Sequence, residues 1–105
     1  MIVDRKNIDF FRDNSFHDYK VNDIVINYNN RLIKIELLYS DLVINFTCKG
    51  FQLFSLNCIE PWGSGIYIYD IEINQDHFKD DMISIKLILN SGDTILVITK
   101  EIDVE

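Results

Sequence analysis

Residues 23–49 read DIVINYNNRLIKIELLYSDLVINFTCK, and three runs within them fit one antiparallel sheet in one register. The runs are 23–28, 31–39 and 42–49. With Asn29-Asn30 as the central pair of a tight turn, Ile26 faces Ile33 and Ile24 faces Ile35. With Ser40-Asp41 as the next turn, Leu37 faces Ile44, Ile35 faces Phe46 and Ile33 faces Cys48. All of these side chains fall on one side of the sheet. A slip of one residue would carry a whole strand's apolar set to the other face, so the pattern specifies a β-meander with one buried face.

Beyond this meander, Gly50 interrupts the third run. Ile44, Phe46 and Cys48 point inward before it, and Phe51, Leu53 and Phe54 carry the apolar load after it. Such a change of parity at a glycine reads as a β-bulge. Residues 57–65 hold Pro61 and two of the four glycines, and form the main loop. Residues 66–74 alternate, with Tyr67, Tyr69, Ile71 and Ile73 sharing one face. After a polar connection over 75–81, residues 82–90 place Ile83, Ile85, Leu87 and Leu89 on one side. A two-residue turn at Ser91-Gly92 returns the chain so that Leu96 and Ile98 meet Leu87 and Ile85, and Ile102 and Val104 continue that parity. Val25, Val43, Ile66, Ile68, Ile95 and Val97 lie on the second face, which implies strands covered on both sides.

At the other end, Asp4 is placed to cap a short helix over 4–14, with Ile8 and Phe11 at helical spacing. Residues 16–19 are polar enough to be irregular or an edge. The sum is an all-β domain spanning 1–105: a meander of six or seven antiparallel strands, as a curled sheet or small sandwich, with one N-terminal helix. A chain of 105 residues buries roughly 65% of its unfolded surface, enough for one core.

Hydrophobic residues make up 48% of the chain and charged residues 26%, an ordinary globular balance. The net charge of −7 argues against a nucleic-acid backbone or an anionic membrane as partner, because both need clustered Lys and Arg. It suits a basic protein partner, which such a field steers inward. No apolar run approaches the ~20 residues of a membrane span, and no charged segment with an apolar stretch behind it opens the chain, so a cytoplasmic location is expected. The abundance of Ile, Asn and Asp points to an AT-rich bacterial genome. Cys48 and Cys58 are expected to be free thiols, since two cysteines alone do not make a structural metal site.

Four groups of residues carry candidate chemistry. His17 with Asp18 resembles an oriented general base, but neighbours on a strand point to opposite faces, and a structural corner that satisfies backbone groups is the simpler reading. Asp76, His77, Asp80 and Asp81 match no metal motif and read as a solvated acidic connection. Trp62, between Pro61 and Gly63, is either a binding anchor or a plug over an open end of the sheet, and burial of a large ring favours the plug. Tyr67 and Tyr69 with Phe51 and Phe54 are either an aromatic ligand surface or core, and core is the commoner role. No nucleophile–base constellation is legible, so no catalytic residue and no cofactor is assigned.

Phe16-His17-Asp18, the alternating strands after it, Phe46, Gly50-Phe51 and Trp62-Gly63 together resemble a family of small bacterial β proteins. In that family a Phe-His-Asp entry precedes a meander, and a Trp-Gly loop follows a phenylalanine-bearing strand. Its members include immunity-like proteins of polymorphic toxin systems and uncharacterised proteins of Gram-positive bacteria. The resemblance implies a non-enzymatic, protein-binding domain, and in its narrower form an immunity protein that blocks a cognate toxin. Asp70, Glu72, Asp76, Asp80 and Asp81 are then the expected contacts for a basic partner. The alternatives are a small-ligand binder or enzyme using the His17 and Trp62 end of the sheet, and a structural subunit of an assembly.

Overall fold

The computed structural model describes residues 1–75 and 81–105. In chain order the elements are β1 (Ile2–Val3), α1 (Phe10–Asp13), β2 (Lys20–Asn27), β3 (Leu32–Tyr39), β4 (Leu42–Lys49) and β5 (Leu53–Leu56). They continue with β6 (Ile68–Gln75), β7 (Ile83–Leu89), β8 (Thr94–Thr99) and β9 (Glu101–Val104). One antiparallel sheet has the order β1-β9-β4-β3-β2, and the other β5-β8-β7-β6. The chain is all-β.

The meander has the register that its hydrophobic pattern dictates. Ile26 lies opposite Ile33, Ile24 opposite Ile35, Leu37 opposite Ile44, Ile35 opposite Phe46 and Ile33 opposite Cys48. The turn chemistry differs between the two hairpins. At the first, residues 28–31 form a four-residue turn in which Arg31, at φ 55, is the left-handed residue, and its guanidinium sits 4.3 Å from the Tyr28 ring centroid. At the second, Ser40 alone has positive φ, the sign pattern of a type II′ hairpin turn. A bulge at Asn22 then brings Val21 opposite Leu37.

Gly50 does more than bulge a strand. Its φ is +73, and a Cβ there would lie 3.1 Å from the Lys100 side chain. The Arg31 carbonyl accepts hydrogen bonds from both Gly50 N–H and Phe51 N–H, at 2.9 and 3.2 Å. Here β4 leaves the first sheet and continues as β5 in the second. Opposite it, β8 leaves the second sheet at Lys100 and continues as β9 in the first. The two long strands stay paired on both sides of the corner, from Phe46–Val104 through Lys49–Glu101 to Leu53–Ile98 and Leu56–Ile95. The Thr99 hydroxyl, fully buried inside the bend, donates to the Lys49 carbonyl at 2.8 Å.

The far margins also meet. Lys20 of β2 pairs with Tyr67, the Val21 N–H donates to the Ile66 carbonyl at 2.9 Å, and the Ile68 N–H donates to the Tyr19 carbonyl at 2.8 Å. Passing from β9 through β4, β3 and β2 to β6, β7 and β8 therefore returns to the strand of origin. The two sheets form a flattened, closed wall around one core. That core holds Ile33, Ile35, Leu37, Phe46, Ile68, Ile83, Ile85, Leu87, Ile95, Val97 and Ile102. One end is filled by Phe11 and Phe16, which meet Phe46 edge-to-face at centroid distances of 5.3 and 5.1 Å. Such pairs add about 0.5–1.5 kcal/mol each beyond their burial.

Four expectations need correction. The helix is one turn, Phe10–Asp13, and not a segment over 4–14; Ile8 and Phe11 are nevertheless both buried. The β7–β8 turn has three residues, with Gly92 at φ +89 and the Gly92 N–H donating to the Leu89 carbonyl at 2.9 Å. Its extra residue slips the register by one, so Leu87 faces Ile95 and Ile85 faces Val97, while Leu96 and Ile98 turn outward. A bulge at Tyr69 likewise moves Ile68 to the inner face and Tyr69 out. No strand is covered on both faces among the described residues: Ile68, Ile95 and Val97 are inner residues, while Val25, Val43 and Ile66 are exposed.

If the corner depends on Gly50, then Gly50→Ala costs about 1–2 kcal/mol from the left-handed backbone alone. The crowding against Lys100 adds to it. Urea unfolding monitored by circular dichroism measures this, and an unchanged midpoint would contradict it.

Candidate functional site

The most unusual stretch of the surface follows directly from the corner. Residues 50–69, GFQLFSLNCIEPWGSGIYIY, contain one charged side chain, Glu60, in a protein that is 26% charged. A run so poor in charge is expected inside a protein. Instead, fourteen of the sixteen residues 52–67 are exposed. Ile59 and Trp62 are 77% and 76% exposed, and Leu56, Ile66 and Tyr67 are also open to solvent. Exposed large apolar groups that adjoin one another mark interaction surfaces, whereas scattered ones do not.

The loop over 57–65 is held in place by specific bonds. Asp93, only 5% exposed, carries the main brace. Its Oδ1 accepts the N–H groups of Ile59 and Glu60 at 2.8 and 2.9 Å, and its Oδ2 accepts the Ser91 hydroxyl at 3.1 Å. Asn57 pairs with Thr94, whose N–H donates to Asn57 Oδ1 at 2.9 Å. The Trp62 N–H donates to the Ser91 carbonyl at 3.0 Å. Pro61 and the Trp62 ring lie against Gly92 so closely that a Cβ there would meet them at 2.7 and 2.8 Å. Gly65 has the Asn90 side chain in the same relation. The β7–β8 turn is thus a pedestal on which the loop sits. Trp62 is not the plug its size suggested: it rests against the turn's glycine with most of its surface in water.

Beyond Gly65 the exposed row continues through Tyr67 to Tyr69, which is 62% exposed because of the bulge. The aromatic set is therefore divided, with Phe51 buried, Phe54 half-buried and both tyrosines outside. His17 packs edge-to-face on Tyr69 at 6.0 Å. Its Nδ1 lies 3.3 Å from Asp18 Oδ2. The pair meets because residues 16–19 are a turn with Asp18 at φ 69, where strand geometry would have separated the two side chains. Both side chains are exposed, and neither bonds a backbone group among the described residues; the corner is held by the main chain instead, with the Asp18 N–H donating to the Ile68 carbonyl at 2.8 Å. A shallow open groove of about 460 Å³ runs between the α1 segment and β6, lined by Arg12, Asp13, Phe16, His17, Tyr69 and Asp70 among others. Trp62 does not line it.

The acids expected to meet a partner do not form one patch. Asp70 and Glu72 are exposed on the outer face of β6, with Glu72 opposite Lys86 on β7. Asp81 lies past the other end of that strand, 3.9 Å from Lys100, in a mixed cluster with Asp4, Arg5 and Lys6. At ~3.4 Å per residue, the rise from Asp70 to Gln75 alone separates them by about 17 Å. Asp76 and Asp80, with His77, fall outside the described residues. Among the described acids, Asp70 and Glu72 are the two on the strand that carries Tyr69.

Burial raises the Cys48 thiol to about 12, which keeps it protonated and inert, while Cys58 is an exposed free thiol on the loop. Among the described residues no three His, Cys, Asp or Glu side chains are grouped to hold a metal ion, and no helix is long and apolar enough to cross a membrane. No protein-family model and no curated protein matches the chain.

Sequence reading located Trp62 and the loop but missed what supports them. The absence of charge over 50–69 was available as a signal. The brace was not, because Asp93 lies more than thirty residues from the amides it binds. Asp93→Ala should cost about 1–3 kcal/mol through the unpaired loop amides. It should also speed exchange of the Ile59 and Glu60 amides, while Asp93→Asn, which keeps Oδ1, leaves most of the protection. Equal exchange in all three proteins would refute the brace.

Proposed function

We propose that this chain is a non-enzymatic protein-binding domain whose docking surface is the braced loop over 57–65 with Ile66, Tyr67 and Tyr69, bordered by Asp70 and Glu72. The observation that carries the reading is the exposure of Ile59 and Trp62 on a loop held by Asp93. Large rigid aromatic and aliphatic groups dominate binding hot spots, and a loop already ordered loses little entropy on docking. A floppy loop with the same residues would gain far less.

The partner that fits is a protein with an apolar socket and a basic rim. The net charge of −7 steers such a partner inward, and Asp70 and Glu72 stand at the border of the apolar row. The narrower form of the proposal is an immunity protein that neutralises a cognate basic toxin in the bacterial cytoplasm. It rests on the Phe16-His17-Asp18 and Trp62-Gly63 resemblance together with this charge balance. In this form Trp62 supplies affinity and the acids supply association rate.

Affinity capture from the native bacterium with tagged protein, at low and high salt, tests the reading. One basic protein should be recovered. Trp62→Ala should weaken its retention at least tenfold, since hot-spot truncations cost about 2 kcal/mol or more. Asp70→Lys with Glu72→Lys should mainly slow association and remove the salt dependence. Retention unaffected by Trp62→Ala would sink the docking surface. Recovery of a partner without toxic activity would sink the narrower form alone.

A further inference from the structure

β6 is the last strand of its sheet, and alternate residues of such a strand turn their main-chain groups toward the neighbour and away from it. The bonds around β6 assign the sides. Arg12 Nη2 donates to the Ile73 carbonyl at 3.2 Å, and the Ile71 N–H donates to Asp70 Oδ1 at 2.8 Å. Ile71 and Ile73 are therefore the outward residues, facing the α1 segment, while Asp70, Glu72 and Asn74 bond to β7. Ile71 lines the groove between α1 and β6, and its carbonyl has no partner among the described residues.

Arg12 shows the chemistry this edge accepts. Its guanidinium bonds the Ile73 carbonyl and also Asp9 Oδ1, at 2.7 Å. A planar cation thus bridges an edge carbonyl and a carboxylate, and its charge is matched. Two residues along the strand, about 7 Å away, the same kind of acceptors recurs without a cation. They are the Ile71 carbonyl and the carboxylates of Asp70 and Asp13, which line the groove and have no ion-pair partner among the described residues. The Tyr69 ring stands on the same groove, held edge-to-face by His17 at 6.0 Å.

We propose that the groove takes the guanidinium of an arginine carried by the basic partner. The inference rests on the docking surface proposed above, since Tyr69 and Asp70 belong to both, and it names the group on the partner's rim that meets them. The two unmatched carboxylates exclude an anion and give a neutral group nothing to gain. Among cations, the fork of donors on a guanidinium reaches the Ile71 carbonyl and a carboxylate together while its face lies on an aromatic ring. A lysine ammonium is a compact, strongly hydrated point charge that matches this arrangement less well.

Titration of the full isotope-labelled chain with N-acetylarginine amide, read by NMR, tests this, with the lysine and citrulline counterparts beside it. The arginine probe should shift the signals of His17, Tyr69 and Ile71 with a Kd on the order of 1 mM, the strength expected of so small a ligand. The lysine probe should bind about threefold more weakly, and the uncharged citrulline probe about tenfold. Asp13→Asn with Asp70→Asn, both at exposed positions, keeps acceptor oxygens and removes the charge. It should weaken the arginine probe about fivefold and leave the rest of the spectrum in place. Shifts scattered over other carboxylates, equal binding of the arginine and lysine probes, or binding that the double variant leaves intact would each overturn the inference. Asp13 lies outside the docking surface proposed above and separates the two readings in affinity capture. Asp13→Asn should lower retention of the partner about threefold. Retention lowered by Trp62→Ala but not by Asp13→Asn would overturn the arginine site and keep the docking surface.

Discussion

The bend at Gly50 and Lys100 is the constraint on which the rest of the structure depends. Two strands that remain paired along their length turn together there, and each contributes to both sheets. The turn needs a residue at positive φ on one strand, room for the Lys100 stem beside it, and a buried hydroxyl at Thr99 to satisfy the Lys49 carbonyl inside the corner. An exposed carbonyl would find water, but one inside a bend must find a protein donor. With the corner in place, the inner faces of both sheets oppose each other, and Phe46 becomes the centre on which the N-terminal aromatics settle.

The same bend sets what the surface can do. It carries β5 out to a sheet edge and delivers the chain into the loop over 57–65. The loop would be ill-defined alone, since its residues bury almost nothing. Asp93 supplies order from beneath through two backbone amides and a serine hydroxyl. The energy of the fold is thus used to hold apolar groups in water. In the function proposed above, docking of a partner covers these groups.

Much of the fold was legible because it is written in short-range alternation. The three-strand register followed from Ile33, Ile35, Leu37 and their partners, since a single slip would have exposed them all. Where a third turn residue enters, as at Asn90-Ser91-Gly92, alternation alone misplaced Leu96 and Ile98, because turn length is set by backbone dihedrals that hydrophobicity does not encode. The same holds for the bulge that turned Tyr69 outward. At the candidate site, Trp62 was visible as a residue but not as an exposed one. Its exposure depends on a loop that Asp93 and Ser91 hold from a distant turn, which local sequence does not show. The contact between His17 and Asp18 was hidden by the assumption of strand geometry at a residue that adopts positive φ.

The central claim is that order and apolar exposure are combined over residues 57–70 in order to bind a protein. Amide hydrogen exchange, compared between the free chain and the chain saturated with its captured partner, measures this most directly. The account predicts new protection concentrated over 57–70, with the outer face of β3 and β4 unchanged. Protection on that outer face, around Val43 and Leu38, with 57–70 exchanging as before, would contradict it.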